Sequence, residues 1–460
     1  VPGLILAWHC FRAGRPEEAE PYLLRGAREG LRRGAVFEVE LALRSAVPSL
    51  PAEVGPQVHL LLAEALQQQD RHREALEALS HPSMEAMGST HSLRLARLRS
   101  AAHLVASLNE ANGVCEELRE LLPKCIRPEE AVAVLSAMYP LHHFIEDKQE
   151  LSKLLALSGK LEAQVTDLDD LARIARFQAF ARWRAKGLGG DPAFIDHLST
   201  IANLCRQSGA ANASTCSFLG AMSVVEMVTG RYHEALEFAS TAHKLARLLG
   251  NDRIIASSAC NAALACGRLG DYLSQIEWAE IASKSDRGRT WGSVLATYHS
   301  AFGHCMLGET ERGLKGIESL WKCSDSSWCD WQVQYAPLLL ADVQHLANRH
   351  TDAVRTAIGV LKDVGITPLS EHSYGCVVRW AAMTSIEMGR VDEAVALLQD
   401  SYARIGAHDT IDQVEIVAAR TWLGEQLGVE WTDGRKEVDR LLTPLPSAVR
   451  DQLCRLGIMN

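Results

Sequence analysis

Apolar residues recur at steps of three and four along most of this chain. The pattern is sharpest in GRYHEALEFASTAHKLARLLG, residues 230–250. There Ala235, Phe238, Ala239, Ala242, Leu245, Ala246 and Leu249 form one stripe, the mark of a helix buried along one face. A second apolar run, Cys216 to Val228, precedes it, and Gly230 stands between the two. A glycine there can take the left-handed conformation that stops one helix and turns the chain back. Tyr232 is placed to wedge between the helices, and small Ala235 and Ala242 allow the backbones to approach to roughly 8–10 Å. The stretch therefore predicts an antiparallel helical hairpin.

The hairpin returns at a step of about 40 residues. Gly270 is followed by Tyr272 in the wedge position and by Gln275, Gly308 by Gly313, Asn348 by Ala353, and Gly389 by Ala394. Asn commonly replaces Gly at a left-handed turn. Seven positions before each turn the residue is small: Ser223, Ala263, Ala301, Ala341 and Ala382. Near the start, Gly14 and Ala19 carry the same signal with Ala7 before them, Pro16 suits a first helical turn, and Gly34–Ala35 begins a third helix. Asp70, Ala75 and Ala63 mark another hairpin.

A fixed step of this length means stacked units. The predicted fold is all-α, a superhelical α-α solenoid of about ten hairpins. Its expected divisions are an opening helical segment (1–50), less regular hairpins (51–215), regular repeats (216–405) and capping helices (406–460). In the middle stretch the step puts turns near Asn109, Glu146 and Gly190, each with part of the pattern missing. Tyr139 and Trp183 fill slots that are small elsewhere.

The hairpin resembles a tetratricopeptide (TPR) unit. Its period, nearer 40 than the 34 residues of plain TPR, is similar to that of the lengthened TPR variants of large signalling ATPases. The run AWHCFRAGRPEEAEPYLLRGAREGLRRGAVFEVELALRSAV, residues 7–47, resembles the segment just after the ATPase core of STAND-type signalling ATPases. That resemblance implies an ATPase and effector ahead of Val1, held off until the repeats bind a trigger. The trigger would be a protein or peptide, for instance a phage component in antiphage defence. Similarity to the helical region of LuxR-type regulators implies a small-molecule inducer instead, as in the maltose-regulator group. Leu442–Thr443–Pro444 resembles the start of the DNA-binding module of those regulators, but only a short tail follows, and a capping helix is the expectation. A plain TPR scaffold is the third reading.

Composition narrows the field. The net charge is −10, with 47 basic and 57 acidic residues interspersed, which argues against direct nucleic-acid binding. No window approaches the roughly 18 uninterrupted apolar residues of a membrane span, and no signal peptide is visible. With Val1 in place of a start methionine, the expected chain is a cytoplasmic fragment of a longer protein. The 12 cysteines include no CxxC pair, and Cys260, Cys266, Cys305 and Cys376 lie within apolar stripes, as buried thiols do.

Catalytic motifs are missing. Gly159–Lys160 lacks the first glycine of a phosphate loop, His233–Glu234 lacks the second histidine of a zinc protease, and no GxSxG elbow occurs. Cys323 and Cys329 with His304 and Cys305 match no standard zinc spacing. The chain is expected to be no enzyme and to need no metal or cofactor.

What remains is the face presented by the first helix of each hairpin. Counting from the turns puts Tyr298, Phe302, Tyr335, Leu338, Asp342, His345, Arg379 and Met383 on it, with Phe177, Phe180 and Arg184 from the frame at Gly190. Trp291, Trp321, Trp328 and Trp331 crowd the same two repeats. Tyr, Trp and Arg anchor binding because they bury much area and carry a polar handle. The candidate ligand-binding set is thus Tyr298, Phe302, Trp331, Tyr335, Asp342, His345 and Arg379.

Overall fold

The structure is a computed structural model that describes residues 2–49, 53–88, 90–105, 108–144, 148–186, 191–285, 291–322, 336–364, 375–403, 410–428, 434–443, 450 and 453. The helices run in order α1 (Pro2–Arg12), α2 (Pro16–Arg33), α3 (Val36–Ala46), α4 (Gly55–Gln68), α5 (His72–Leu79), α6 (His91–Leu104), α7 (Leu108–Leu121) and α8 (Pro128–Met138). They continue as α9 (Lys148–Glu162), α10 (Leu168–Lys186), α11 (Pro192–Ser208), α12 (Ala213–Val228), α13 (Tyr232–Leu249), α14 (Asp252–Arg268), α15 (Tyr272–Ser285), α16 (Trp291–Met306) and α17 (Thr310–Lys322). The last are α18 (Ala336–Leu346), α19 (His350–Val364), α20 (Gly375–Glu387), α21 (Val391–Ala403), α22 (Thr410–Leu427) and α23 (Gly434–Leu442). No strand occurs among the described residues. The fold is an all-α, TPR-like solenoid of helical hairpins.

The predicted turns share one backbone device. Gly14, Asp70, Gly230, Gly270, Gly308, Asn348 and Gly389 all have φ between 61° and 85°. In each, the amide of the next residue donates to the carbonyl five residues back, closing the helix end. Arg231 N to Glu226 O is 2.9 Å, Glu309 N to His304 O 2.8 Å, and Arg390 N to Ser385 O 2.7 Å. The same residue then begins the following helix, since Ala235 N donates to Arg231 O at 3.0 Å. One residue closes one helix and opens the next, so the hairpin angle repeats.

The small positions are where the paired helices touch. Ala7, Ala63, Ser223, Ala263, Ala301, Ala341 and Ala382 are buried, as are Ala19, Ala75, Ala235, Ala353 and Ala394. A Cβ on Gly313 would stand 2.6 Å from the carbonyl oxygen of Ala301. Gln275, the one large residue in this slot, fits because a glycine, Gly267, lies opposite; a Cβ there would be 2.7 Å from its amide nitrogen.

The chain divides into two compact units. The first comprises Val1–Ala185, Asp196–Met222 and Thr241–Ile255. Its helices α1–α4 pack in one core with Cys216, Ala246, Leu249 and Ile255, contributed from much later in the chain. Asn251 Nδ2 donates to the carbonyl of Gln68 at 2.7 Å, and Gly34 lies so close to Ala211 that a Cβ would be 1.8 Å from its oxygen. A second core joins α6–α10. The second unit comprises Lys186–Ile195, Ser223–Ser240 and Ala256–Asn460. Its main core runs from α14 to α22, and another cluster sets Ile411, Val414, Val417, Leu441 and Leu442 against Met227, Tyr232, Ala235 and Ala265.

These returns modify the sequence expectation. Tyr232 is buried, but among residues of the terminal helices as well as its own hairpin. Tyr272 is half-buried at the same position. In the middle, Asn109 lies in the first turn of α7 and is no hairpin turn, while Glu146 and Gly190 fall outside the described residues. In the capping stretch 406–460 the described helices are α22 and α23, and 444–449, 451–452 and 454–460 lie outside the described residues.

Candidate functional site

In the second unit the first helices α16, α18, α20 and α22 bring most of the expected residues together, in a buried polar network. The Tyr298 hydroxyl donates to Asp342 Oδ2 at 3.0 Å. Arg379 Nη2 and Trp380 Nε1 donate to Asp342 Oδ1 at 2.8 and 3.3 Å, and Arg379 Nε donates to Glu415 Oε2 at 3.5 Å. Arg268 and the Gly375 amide share Asp412 Oδ1 at 3.3 and 2.9 Å. Phe302 lies against the Tyr298 ring, 5.8 Å between centroids. His345 is half-buried beside Trp380 and His350. Trp331 and Tyr335 lie outside the described residues.

Burial sets the chemistry of this network. Desolvation raises the carboxyl of Glu415 to about 7, against the pull of Arg379. It pushes the neighbouring His299 imidazole down to about 3, helped by the charge of Arg268. Tyr298, His299, Cys376, Asp412 and Glu415 border a cavity of about 20 Å³, room for a single water molecule. Tyr298, Asp342 and Arg379 are thus together, as the sequence suggests, but their polar groups are taken up by one another. Burial also raises the Cys266 thiol to about 12 and Cys305 to about 11, so neither supplies a thiolate near neutral pH.

The first unit carries a more open arrangement. Arg99 and His103 on α6, Ser136 and Tyr139 at the end of α8, Arg173, Arg176 and Phe180 on α10, and Arg253 at the start of α14 come together. The Arg176 guanidinium lies 4.0 Å over the Tyr139 ring and donates to Ser136 Oγ at 3.2 Å. Tyr139 meets Phe180 edge-on at 4.8 Å, and Phe180 in turn meets Trp183. Arg99 Nη1 donates to Gln67 Oε1 at 3.4 Å. Arg253 is exposed, and the other arginines, His103 and the aromatic side chains are half-buried: flanked by protein, yet partly open. Burial lowers both Arg99 and Arg176 from the usual guanidinium range; the charge of Arg173 adds to the effect on each. Arg173 itself is paired with Asp169 and Asp170 at 2.5 and 3.2 Å.

Asp70, His72 and His103 offer ligand atoms within 4.8 Å of one another, the spacing of a metal site. That cluster already holds a cation. Arg253 Nη1 is 2.9 Å from His103 Nδ1 and 3.8 Å from Asp70 Oδ1. The two imidazoles stack at 4.1 Å, and burial, then His72 and the surrounding arginines, keep His103 well below its usual range. An ion there would displace a guanidinium and face two more.

Sequence reasoning passed over Arg99, His103, Arg176 and Arg253 because the turn expected at Asn109 misplaced the frame of α6. In α10 the frame at Gly190 put Phe177 on the open face, whereas Phe177 is in the core and Arg173, Arg176 and Phe180 share the other side. The signal was present as arginines at helical spacing in RIARFQAFARWR, residues 173–184.

No helix among the described residues is long and apolar enough to cross a membrane. The tetratricopeptide repeat family model matches residues 1–23 and 56–80. No curated protein matches the chain in sequence. Among solved structures it is similar to a Rap protein complexed with competence and sporulation factor, at 10% identity and a TM-score of 0.46, over 89% of this chain and 99% of that one. It is similar to the APC/C hetero-tetramer Cut9–Hcn1 at 12% identity and 0.46, over 99% and 89%. Yeast Tom70 stands at 12% and 0.41, over 98% of each chain.

Proposed function

We propose that this chain is the non-catalytic recognition region of a STAND-type signalling ATPase, taking a protein or peptide trigger on the first helices of its hairpins. The observation that carries this is the half-buried face of α6, α8, α10 and α14 in the first unit, where cationic and aromatic side chains from four elements converge. A ligand spanning several hairpins favours whichever arrangement of them it fits, and that difference in affinity is what a switch requires. The hairpin α1–α2 and the start of α3 carry the residues that resemble the opening of a STAND sensor region. The reading places the protein in the cytoplasm, and a phage component in antiphage defence is the kind of trigger it implies. The cavity lined by Tyr298, Cys376 and Glu415 has room for one water only, too little for a small-molecule inducer at that place.

The test is the coding sequence ahead of Val1. An in-frame phosphate loop followed by a winged helix supports the sensor reading. A start codon with neither contradicts it and leaves a TPR scaffold.

A further inference from the structure

We infer that the arginine-lined face of the first unit is a binding site for the carboxylates of an acidic peptide segment, held by Arg99 and Arg176. This rests on the recognition reading above and gives it a ligand chemistry.

Arg99 and Arg176 have only neutral partners among the described residues: an amide oxygen for Arg99, a serine hydroxyl and a tyrosine ring for Arg176. Arg176 Nε is buried with no hydrogen-bond acceptor. Elsewhere the chain neutralises its enclosed arginines, as Arg71 with Glu40 and Glu74, Arg173 with Asp169 and Asp170, and Arg379 with Asp342 and Glu415. Desolvated cations with no carboxylate at ion-pair distance are costly, and more so side by side. An entering anion removes that cost.

Guanidinium forks match carboxylates two bonds at a time. The field is not uniformly positive, because Glu64, Asp169 and Asp170 act on Arg99 and Asp169 on Arg176. Single carboxylates spaced along a peptide suit such a face, whereas the continuous charge of a nucleic acid is opposed by those acids. Phe180 and Trp183 beside Tyr139 offer surface to the apolar groups between the acids.

The test is fluorescence anisotropy of a labelled decapeptide of alternating glutamate and alanine with the whole chain, against the same peptide with lysine for glutamate, inorganic phosphate and a short single-stranded DNA. The glutamate peptide is expected to bind, more weakly as salt rises. Arg99→Gln and Arg176→Gln should each weaken binding at least about tenfold, and Arg355→Gln on the exposed surface should not. Melting temperatures of the two glutamine variants should equal or exceed that of the unsubstituted chain, because a desolvated cation with no directly paired carboxylate has been removed. Equal binding by all variants overturns the site. So does a fall in melting temperature in step with affinity, which would make the arginines structural. Displacement of the peptide by phosphate or DNA at equal charge overturns the assignment to a peptide. Failure here leaves the upstream sequence free to support the sensor reading, and the absence of a phosphate loop leaves this binding intact.

Discussion

Two glycines set the behaviour of the repeat in opposite ways. Gly230 is needed for its backbone, with φ 77°, where a β-branched residue is strained by roughly 1–2 kcal/mol. Gly230→Val should lower the denaturation midpoint accordingly, and an unchanged midpoint would count against the turn. Gly313 lies inside α17 and is needed for space. Alanine there gains about 1 kcal/mol in helix propensity, but its Cβ would stand 2.6 Å from the Ala301 carbonyl oxygen. Overpacking of that kind costs about 1–3 kcal/mol, so Gly313→Ala should be net destabilising in chemical denaturation. A stabilised variant would mean that the two helices separate there at little cost.

At the scale of elements, the buried network of α16, α18, α20 and α22 ties stability to pH from both sides. Glu415 has its folded value raised from 4.5 to about 7, so its contribution is complete below the unfolded value and is lost as pH rises through 7. His299 is depressed from 6.5 to about 3, so its contribution is complete above 6.5 and is lost as pH falls towards 3. Glu415→Gln should flatten the loss on the alkaline side and His299→Gln that on the acid side, read as melting temperature against pH. If neither slope changes, the groups are not enclosed as described.

The legibility of these elements in the sequence follows from the range of the interactions involved. Turns were readable wherever the device is local, as at Gly230, Asn348 and Asp70, because one residue with positive φ and one small contact specify the hairpin. Tyr298, Asp342 and Arg379 were readable as a group because regular repeats project equivalent positions to one side. That their charges are spent on one another was not, since Glu415 and Arg268 come from distant hairpins. Around α6 and α10 the turn residue is absent from the sequence pattern, and the register of the arginine face could not be counted from it.

At the scale of the molecule, each unit closes with helices far along the chain. Simple stacking predicts that removing the last elements costs little beyond their own contacts. Here α22 and α23 cover Met227, Tyr232 and Ala265 of the second unit. Truncation after Ala403 should therefore expose that cluster, lower the melting temperature of the second unit and raise binding of a hydrophobic dye. A truncated chain that melts like the intact one would favour independent, nearest-neighbour repeats.

The central claim is that recognition takes place on the first-helix face of the first unit. Hydrogen–deuterium exchange of the whole chain with and without the saturating glutamate–alanine peptide addresses it directly. Slowed exchange concentrated in α6 and α10, with none in α16–α22, is the predicted result. Protection that falls on α16–α22, or no protection at all, would contradict it.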